Sequence, residues 1–366
     1  ACFVLGMLSR VDENLDAIQA LCVVPTRELA RQIQEVIQAL GKYTRIKVGL
    51  AIPARDEEKK SWRDKPAEER EAGIKDHIIV GTPGKIFNMI KESKTRRKGS
   101  FDVSHVKILV LDEADTMVDT QGLGDQTIRI KKELNPDVQI LLFSATFADH
   151  VKNFASMFAP DANQITVQRE KLKLDTIKQY YFECPRGPGN EDTRYGVLND
   201  IYSYLTIGQS IIFVHTRQSA SNLTNRLRAD GHAVSLLYGG DMMPEERDRV
   251  IDEFRSGTTK VLITTNVLAR GVDILQVTVV INYDLPILPW PTDDKGNPIR
   301  GPAEADCETY LHRIGRTGRF GRKGIAINFV HDQTSHHVLH SIEKYYGFKM
   351  VKVADVEELE RRIQEL

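Results

Sequence analysis

The chain has 366 residues, 41% of them hydrophobic and 28% charged, with a formal net charge of −1. That length suggests two domains, each able to bury its own core, and the near-zero charge leaves attraction to nucleic acid to local arrangements. No apolar run approaches the roughly 20 residues that span a bilayer, and the four scattered cysteines, Cys2, Cys22, Cys184 and Cys307, have no metal-type spacing and fit a reducing compartment, cytosol or nucleus.

The opening ACFVLGMLSR is apolar, but no basic region precedes it and no cleavage pattern follows, unlike a signal peptide. ALCVV (20–24) reads as a strand. A helix from Thr26 to Leu40 follows, with Leu29, Ile33, Val36, Ile37 and Leu40 on one face and Gly41 as its stop. Further strands are predicted at 46–50, 77–80, 106–111 and 138–143. The charged runs 55–71 and 91–99 read as solvated faces or loops. The polar stretch REKLKLDTIKQ (169–179) breaks the pattern, which then restarts. QSIIFV (209–214) leads into a helix over 217–230 closed by Gly231, and AVSLLY, KVLITT, VTVVINYD and GIAINFV follow as strands with helices between them. LPILPWPTDDKGNPIRGPAEAD (285–306), rich in Pro and Gly, is expected to be an exposed loop. Strands alternating with helices imply an α/β protein with two domains, parallel sheets and a boundary near residue 174.

Open parallel sheets bind ligands beyond the carboxyl ends of their strands. In KILVLDEAD (107–115) the buried run Ile108 to Leu111 stops at Asp112-Glu113, with Asp115 close behind. A carboxylate placed there can hold Mg²⁺ through water while its neighbour orients a hydrolytic water. The plain alternative is a helix cap made by Asp112 or Asp115. Other strands end in Ser144-Ala145-Thr146, in Pro25-Thr26-Arg27 and in Gly81-Thr82-Pro83-Gly84-Lys85. The last two set amides, hydroxyls and cations at helix starts, which suits phosphates. Each alone is ordinary turn chemistry; together at one edge they suggest a site. The second half adds Thr264, Arg270, Gly271 and Asp273 in ITTNVLARGVD, and His312, Arg313, Arg316, Arg319 and Arg322 in YLHRIGRTGRFGR. Arg316 and Arg319 are spaced to face one way, as arginine fingers on a γ-phosphate require. A basic RNA patch or a solvated helix end is the plainer reading, weakened by the tandem GRTGR, whose glycines let backbone approach a ligand closely.

In order and spacing, PTRELA, TPGK, DEAD, SAT, TTNVLARGVD and HRIGRTGR resemble the motifs of DEAD-box RNA helicases across nearly the whole chain. LDEADTMVDTQGLGDQ, LTIGQSIIF and ETYLHRIGRTGRFGRKG resemble the branch that remodels messenger RNA–protein particles at the nuclear pore. The resemblance implies two tandem RecA-like domains with parallel sheets. Residues 1–170 would be the ATP-binding domain, 171–177 a linker and 178–366 the C-terminal helicase domain. It implies ATP and Mg²⁺ as cofactors, with Asp112 on the metal through water and Glu113 activating water. Asp115 would link to Ser144 and Thr146, coupling hydrolysis to RNA separation. His312, Arg316 and Arg319 would stand at the γ-phosphate, with Gly271 and Asp273 on the nucleotide, Asp273 near the ribose. Pro25, Thr26, Arg27, Thr82, Gly84, Lys85, Arg247, Thr264, Arg270 and Gly271 would hold the RNA backbone. Binding to single-stranded RNA should then be sequence-independent and salt-sensitive.

Implied partners are messenger RNA–protein particles, pore-filament proteins and an export activator with inositol hexakisphosphate. The implied state is a monomer without membrane insertion, in cytoplasm and nucleus and at the cytoplasmic pore face. Departures are Lys85 for a usual arginine, and Glu246 for a usual glutamine beside Arg247, where a carboxylate repels RNA. ACFVLGML resembles the helix that follows the phosphate loop, and no GxxxxGK[ST] occurs in the chain. The first domain is therefore expected to be truncated at its start, and these 366 residues alone to hydrolyse ATP negligibly. The competing reading is a non-catalytic scaffold that binds RNA or nucleoporins.

Overall fold

The computed structural model describes residues 2–53, 74–95, 101–119, 122–166, 176–185, 187, 192–239, 242–266, 277–290, 301–318 and 322–364. The chain divides into two compact units, Ala1–Gln164 and Ile165–Leu366.

In the first unit, helix α1 (Cys2–Arg10) precedes strand β1 (Ala20–Val23), whose four residues are all buried. Helix α2 (Arg27–Leu40) follows because Thr26 caps it: the Thr26 side chain accepts from Leu29 N, 3.3 Å away. Leu29, Ile33 and Ile37 are buried as the spacing predicts, whereas Leu40, the last residue of the helix, is exposed. Strand β2 (Val48–Ala51), strand β3 (Ile78–Gly81), helix α3 (Pro83–Thr95), strand β4 (Ile108–Leu111), helix α4 (Ala114–Asp119), helix α5 (Leu123–Lys132), strand β5 (Gln139–Leu142) and helix α6 (Asp149–Phe158) complete it. Residues 91–95 form the solvated end of α3; of the other charged residues expected on the surface, 55–71 and 96–99 lie outside the described residues.

The five strands run parallel in the order β2-β3-β1-β4-β5. Their register puts Ala51, Gly81, Val23, Leu111 and Leu142 on one row across the sheet. Every segment that comes after one of these residues therefore leaves the sheet at the same edge. Apolar side chains pack both faces. Leu21, Ile79, Leu109, Phe154 and Phe158 lie on one side, and Met7, Cys22, Ile33, Ile78 and Val110 on the other. Two covered faces explain why these strands read as continuous apolar runs.

In the second unit, strand β6 (Ile177–Glu183), helix α7 (Arg194–Tyr204), strand β7 (Gln209–Phe213), helix α8 (Arg217–Ala229) and strand β8 (Val234–Leu237) come first. Helix α9 (Pro244–Arg255), strand β9 (Val261–Thr264), strand β10 (Val277–Asn282), helix α10 (Cys307–Ile314), strand β11 (Gly324–Val330), helix α11 (Gln333–Tyr346), strand β12 (Val351–Val353) and helix α12 (Val356–Gln364) come next. The order is β12-β6-β11-β10-β7-β9-β8, again parallel at every described pairing. Ile177, expected in the linker, opens β6 and pairs with Gly324. The Pro- and Gly-rich loop is pinned at its base. Ile287 and Ala305 form an antiparallel bridge, and Leu285 and Ala303 are buried.

Gly81 is the tightest point of the first sheet: a Cβ there would lie 2.6 Å from the Ala51 Cβ and overlap the Ala51 carbonyl oxygen. Gly81→Ala must push β2 away from β3, a backbone shift of the kind that costs about 1–3 kcal/mol. A urea titration should show a lower midpoint for this variant at unchanged slope; an unchanged midpoint would contradict the packing described.

Candidate functional site

At the carboxyl edge of the first sheet, β4 gives way to α4 after only two residues, Asp112 and Glu113. Glu113 makes that turn in the left-handed region, φ +52°, a conformation that costs a non-glycine residue of order 1 kcal/mol and recurs at functional sites. Asp112 N donates to Val23 O, 3.2 Å away, and Ala114 N to Phe143 O, 3.0 Å away, fixing the acidic turn between β1 and β5. Asp112 Oδ1 accepts from Glu113 N at 3.0 Å. Burial, then the adjoining Glu113 and Asp115, push the Asp112 carboxyl up to about 6, against its backbone hydrogen bond. Asp115 is fully buried. Its Oδ2 accepts from Thr146 Oγ1 at 2.9 Å, its N donates to Ser144 Oγ at 3.3 Å, and Ser144 Oγ donates to Thr146 O at 2.7 Å. Of the two alternatives for the acids, the cap is not what holds Asp115. It is bound to the hydroxyl turn, and Asp112 packs on its own neighbour's amide.

Pro25, Thr26 and Arg27 leave the same edge, half-buried, as do Thr82, Gly84 and Lys85 at the start of α3. Thr26 caps α2 as an acceptor, which leaves its hydroxyl hydrogen for a phosphate oxygen. The first unit thus brings together Pro25, Thr26, Arg27, Thr82, Gly84, Lys85, Asp112, Glu113, Asp115, Ser144 and Thr146 at one edge.

In the second unit, Asp306 caps α10 through Thr309 N at 2.8 Å. His312 and Arg316 lie mostly inside, and Arg316 Nε donates to His312 O at 3.0 Å. The turn after α10 is clamped. Thr317 Oγ1 donates to Val277 O and Thr278 O at 3.0 and 2.9 Å, and Gly318 adopts φ +69° where a Cβ would meet the Ile177 side chain. Thr264 ends β9 fully buried, its hydroxyl donating to Thr265 O at 3.0 Å, so it sits inside the fold rather than on an open edge. Arg247 is half-buried on α9, beside an exposed Glu246. Arg270, Gly271, Asp273 and Arg319 lie outside the described residues. Nothing in the sequence marks Asn266 and Asn282, whose amide oxygens accept from Arg313, or Asn328, which accepts in turn from Asn282.

The family model described as DEAD/DEAH box helicase matches residues 1–154, and the helicase conserved C-terminal domain matches residues 194–321. The ATP-dependent RNA helicase dbp-5 of Neurospora crassa is 46% identical over 370 aligned residues, covering 100% of this chain and 70% of that protein. This chain belongs to the DEAD-box ATP-dependent RNA helicases, of the Dbp5 type.

A solved structure of Saccharomyces cerevisiae Dbp5 bound to RNA and ADP BeF3 is 45% identical, with a TM-score of 0.84, and covers 100% of this chain and 85% of its own. A variant of the same yeast protein bound to nup159, gle1, ip6 and adp is 42% identical, with a TM-score of 0.64, covering 99% and 86%. Both parallel-sheet domains are therefore of the RecA-like kind that the sequence implied. Among the described residues no helix is long and apolar enough to cross a membrane.

In this DEAD-box helicase the Asp112 carboxyl titrates at about 6 when folded against an ordinary 3.8, so ionising it disfavours the folded state. That penalty is complete above the folded value and gone below the ordinary one. Asp112→Asn should raise the melting temperature by a few degrees at neutral pH in magnesium-free buffer. The gain should fade as pH drops through the window from about 6 to about 4. Identical melting at neutral pH would contradict the buried, crowded acid.

Proposed function

We propose that this protein is an ATP-dependent RNA helicase that remodels messenger RNA–protein particles at the cytoplasmic face of the nuclear pore. Its working compartments would be cytoplasm and nucleus, its partners a pore-filament protein and an export activator with inositol hexakisphosphate, and its state a monomer. The observation that carries the reading is the Asp115–Thr146 contact, which joins the acidic strand end to the hydroxyl strand end. Beside it stand the two helix starts suited to phosphates. The binding of RNA, ADP BeF3, nup159, gle1 and ip6 by yeast Dbp5 supports the choice of ligands and partners.

The acidic turn fits a hard divalent cation. Three carboxylates within four positions crowd one another, and the raised Asp112 carboxyl would be relieved by a cation. Asp112 would hold Mg²⁺ through water. Bound there, the ion supplies neutralisation of phosphate charge. Glu113, half-buried next to Asp112 on the same turn, takes the proton of the attacking water. Asp115 keeps the hydroxyl turn in register with the acids, so a change at the nucleotide moves Ser144 and Thr146. Pro25, Thr26, Arg27, Thr82, Gly84 and Lys85 hold one stretch of RNA backbone, and Arg247, Arg270 and Gly271 another, whereas buried Thr264 takes no part. His312, Arg316 and Arg319 take up the γ-phosphate charge, with Asp273 near the ribose. RNA gripped by phosphate and ribose is bound irrespective of sequence, and more weakly as salt rises.

ATP hydrolysis by the full-length protein should be stimulated by RNA and not by DNA. Glu113→Gln should lower the stimulated rate by about 10² or more while ATP-dependent RNA binding persists. A wild-type rate in that variant would overturn the assignment of the base, and survival of the biological role with hydrolysis abolished would favour the scaffold reading. Thr146→Ala should keep hydrolysis and lose separation of short duplexes; loss of both together would contradict a coupling role.

A further inference from the structure

Helix α11 carries three histidines, His336, His337 and His340, outside the acidic and arginine-bearing turns. His336 and His340 are four positions apart, so they stand on one face, a turn from each other. Their ring centroids are 6.3 Å apart and the planes are tilted by 35°. The two side chains are 40% and 61% exposed, so both rings reach solvent. His340 is held in one tautomer. Its Nδ1 lies 3.0 Å from Oε2 of Glu343, a buried carboxylate that also accepts from Lys349 Nζ at 2.9 Å and, through Oε1, from Met350 N at 2.8 Å. An ionised carboxylate only accepts. His340 Nδ1 therefore carries the hydrogen, and the lone pair sits on Nε2. A carboxylate on one imidazole nitrogen is the arrangement that orients the other toward a metal ion and raises its basicity. His336 faces the end of β6. Its Nε2 is 3.9 Å from Glu183 Oε1, while Glu183 Oε2 accepts from Lys352 Nζ at 2.6 Å.

Two imidazoles on successive turns of a helix can close on one ion. An ion about 2.0–2.1 Å from each coordinating nitrogen stands roughly 3.2 Å from each ring centre, so the centres can be at most about 6.4 Å apart. The observed spacing is just inside that limit, and a small turn of the exposed His340 ring would bring it well inside. Ligand type selects the metal: imidazole suits Cu²⁺, Ni²⁺ and Zn²⁺, whereas Mg²⁺ takes oxygen. The charges beside the pair balance, Glu183 and Glu343 against Lys352 and Lys349, so coordination rather than attraction must hold the ion. Among the described residues no three His, Cys, Asp or Glu side chains are grouped to hold a metal ion. The chain thus supplies two ligands, and solvent completes the shell. In the sheet order β6 is four strands from β9, about 19 Å at the usual strand spacing, which sets the pair apart from that strand end.

We propose that His336 and His340 form a chelating site on α11 for a divalent transition-metal ion of the Cu²⁺, Ni²⁺ and Zn²⁺ class. The site goes beyond the helicase reading and does not depend on it. Its test uses the full-length protein without a histidine tag, in magnesium buffer, with Cu²⁺–nitrilotriacetate, which leaves coordination positions open for two imidazoles. Pulsed electron resonance should show modulation from imidazole nitrogen on the bound copper. His336→Ala and His340→Ala should each weaken binding by at least about tenfold, whereas His337→Ala, on another face of the helix, should bind as the wild type does. No imidazole modulation in the wild type overturns the inference. So does equal binding by the wild type and both variants, which would put the copper on other histidines, and so does an equal loss in His337→Ala. Should His340→Ala fail to fold, His336→Ala decides alone: weakened binding supports the site and unchanged binding overturns it.

Discussion

The common row on which five parallel strands end is the constraint that everything in the first unit depends on. Ala51, Gly81, Val23, Leu111 and Leu142 share that row. Buried strands can offer no chemistry themselves, because polar groups inside a two-faced sheet must be paired with one another. Residues beyond the row escape that limit. Four turns of different chemistry are thereby held at fixed spacing by hydrogen bonds of the sheet. The acidic turn is fastened on both sides, through Asp112 N to β1 and Ala114 N to the end of β5. The Asp115–Thr146 bond adds a side-chain tie between turns that the sheet already places side by side.

Much of this was legible in the sequence. Runs such as ILVL and IIVG are apolar at every position because both faces of the sheet are covered, and the polar residues begin where burial stops. Thr26 and Gly41 mark the ends of α2 by their own backbone chemistry. The start of β6 was not legible. In IKQYYFE exposed Lys178 and Glu183 alternate with buried Ile177, Tyr180 and Phe182, and its only outer neighbour is the three-residue β12. A strand so near the edge has a half-wet face and looks polar from the sequence. Leu40 is on the apolar face by spacing but lies past the reach of the core.

The amides around Arg313 were illegible for a different reason. Asn282 and Asn328 each sit in a strand whose remaining residues are mostly apolar, and nothing in VTVVIN or GIAINFV says that they meet. Register decides it: Asn282 pairs with Asn328 across β10 and β11. Motifs at strand ends announce themselves because the residue types are chosen for a ligand. Residues chosen for one another, far apart in sequence, leave no local pattern. The second unit accordingly showed its arginines and hid what holds them.

The Asp115–Thr146 bond ties the acidic turn to the hydroxyl turn, and that tie is tested most directly by amide hydrogen exchange across residues 144–146 of the full-length protein, with and without magnesium and a non-hydrolysable ATP analogue. The two ligands should change exchange at this turn in the wild type and not in Thr146→Val. The same change in both proteins would contradict the link.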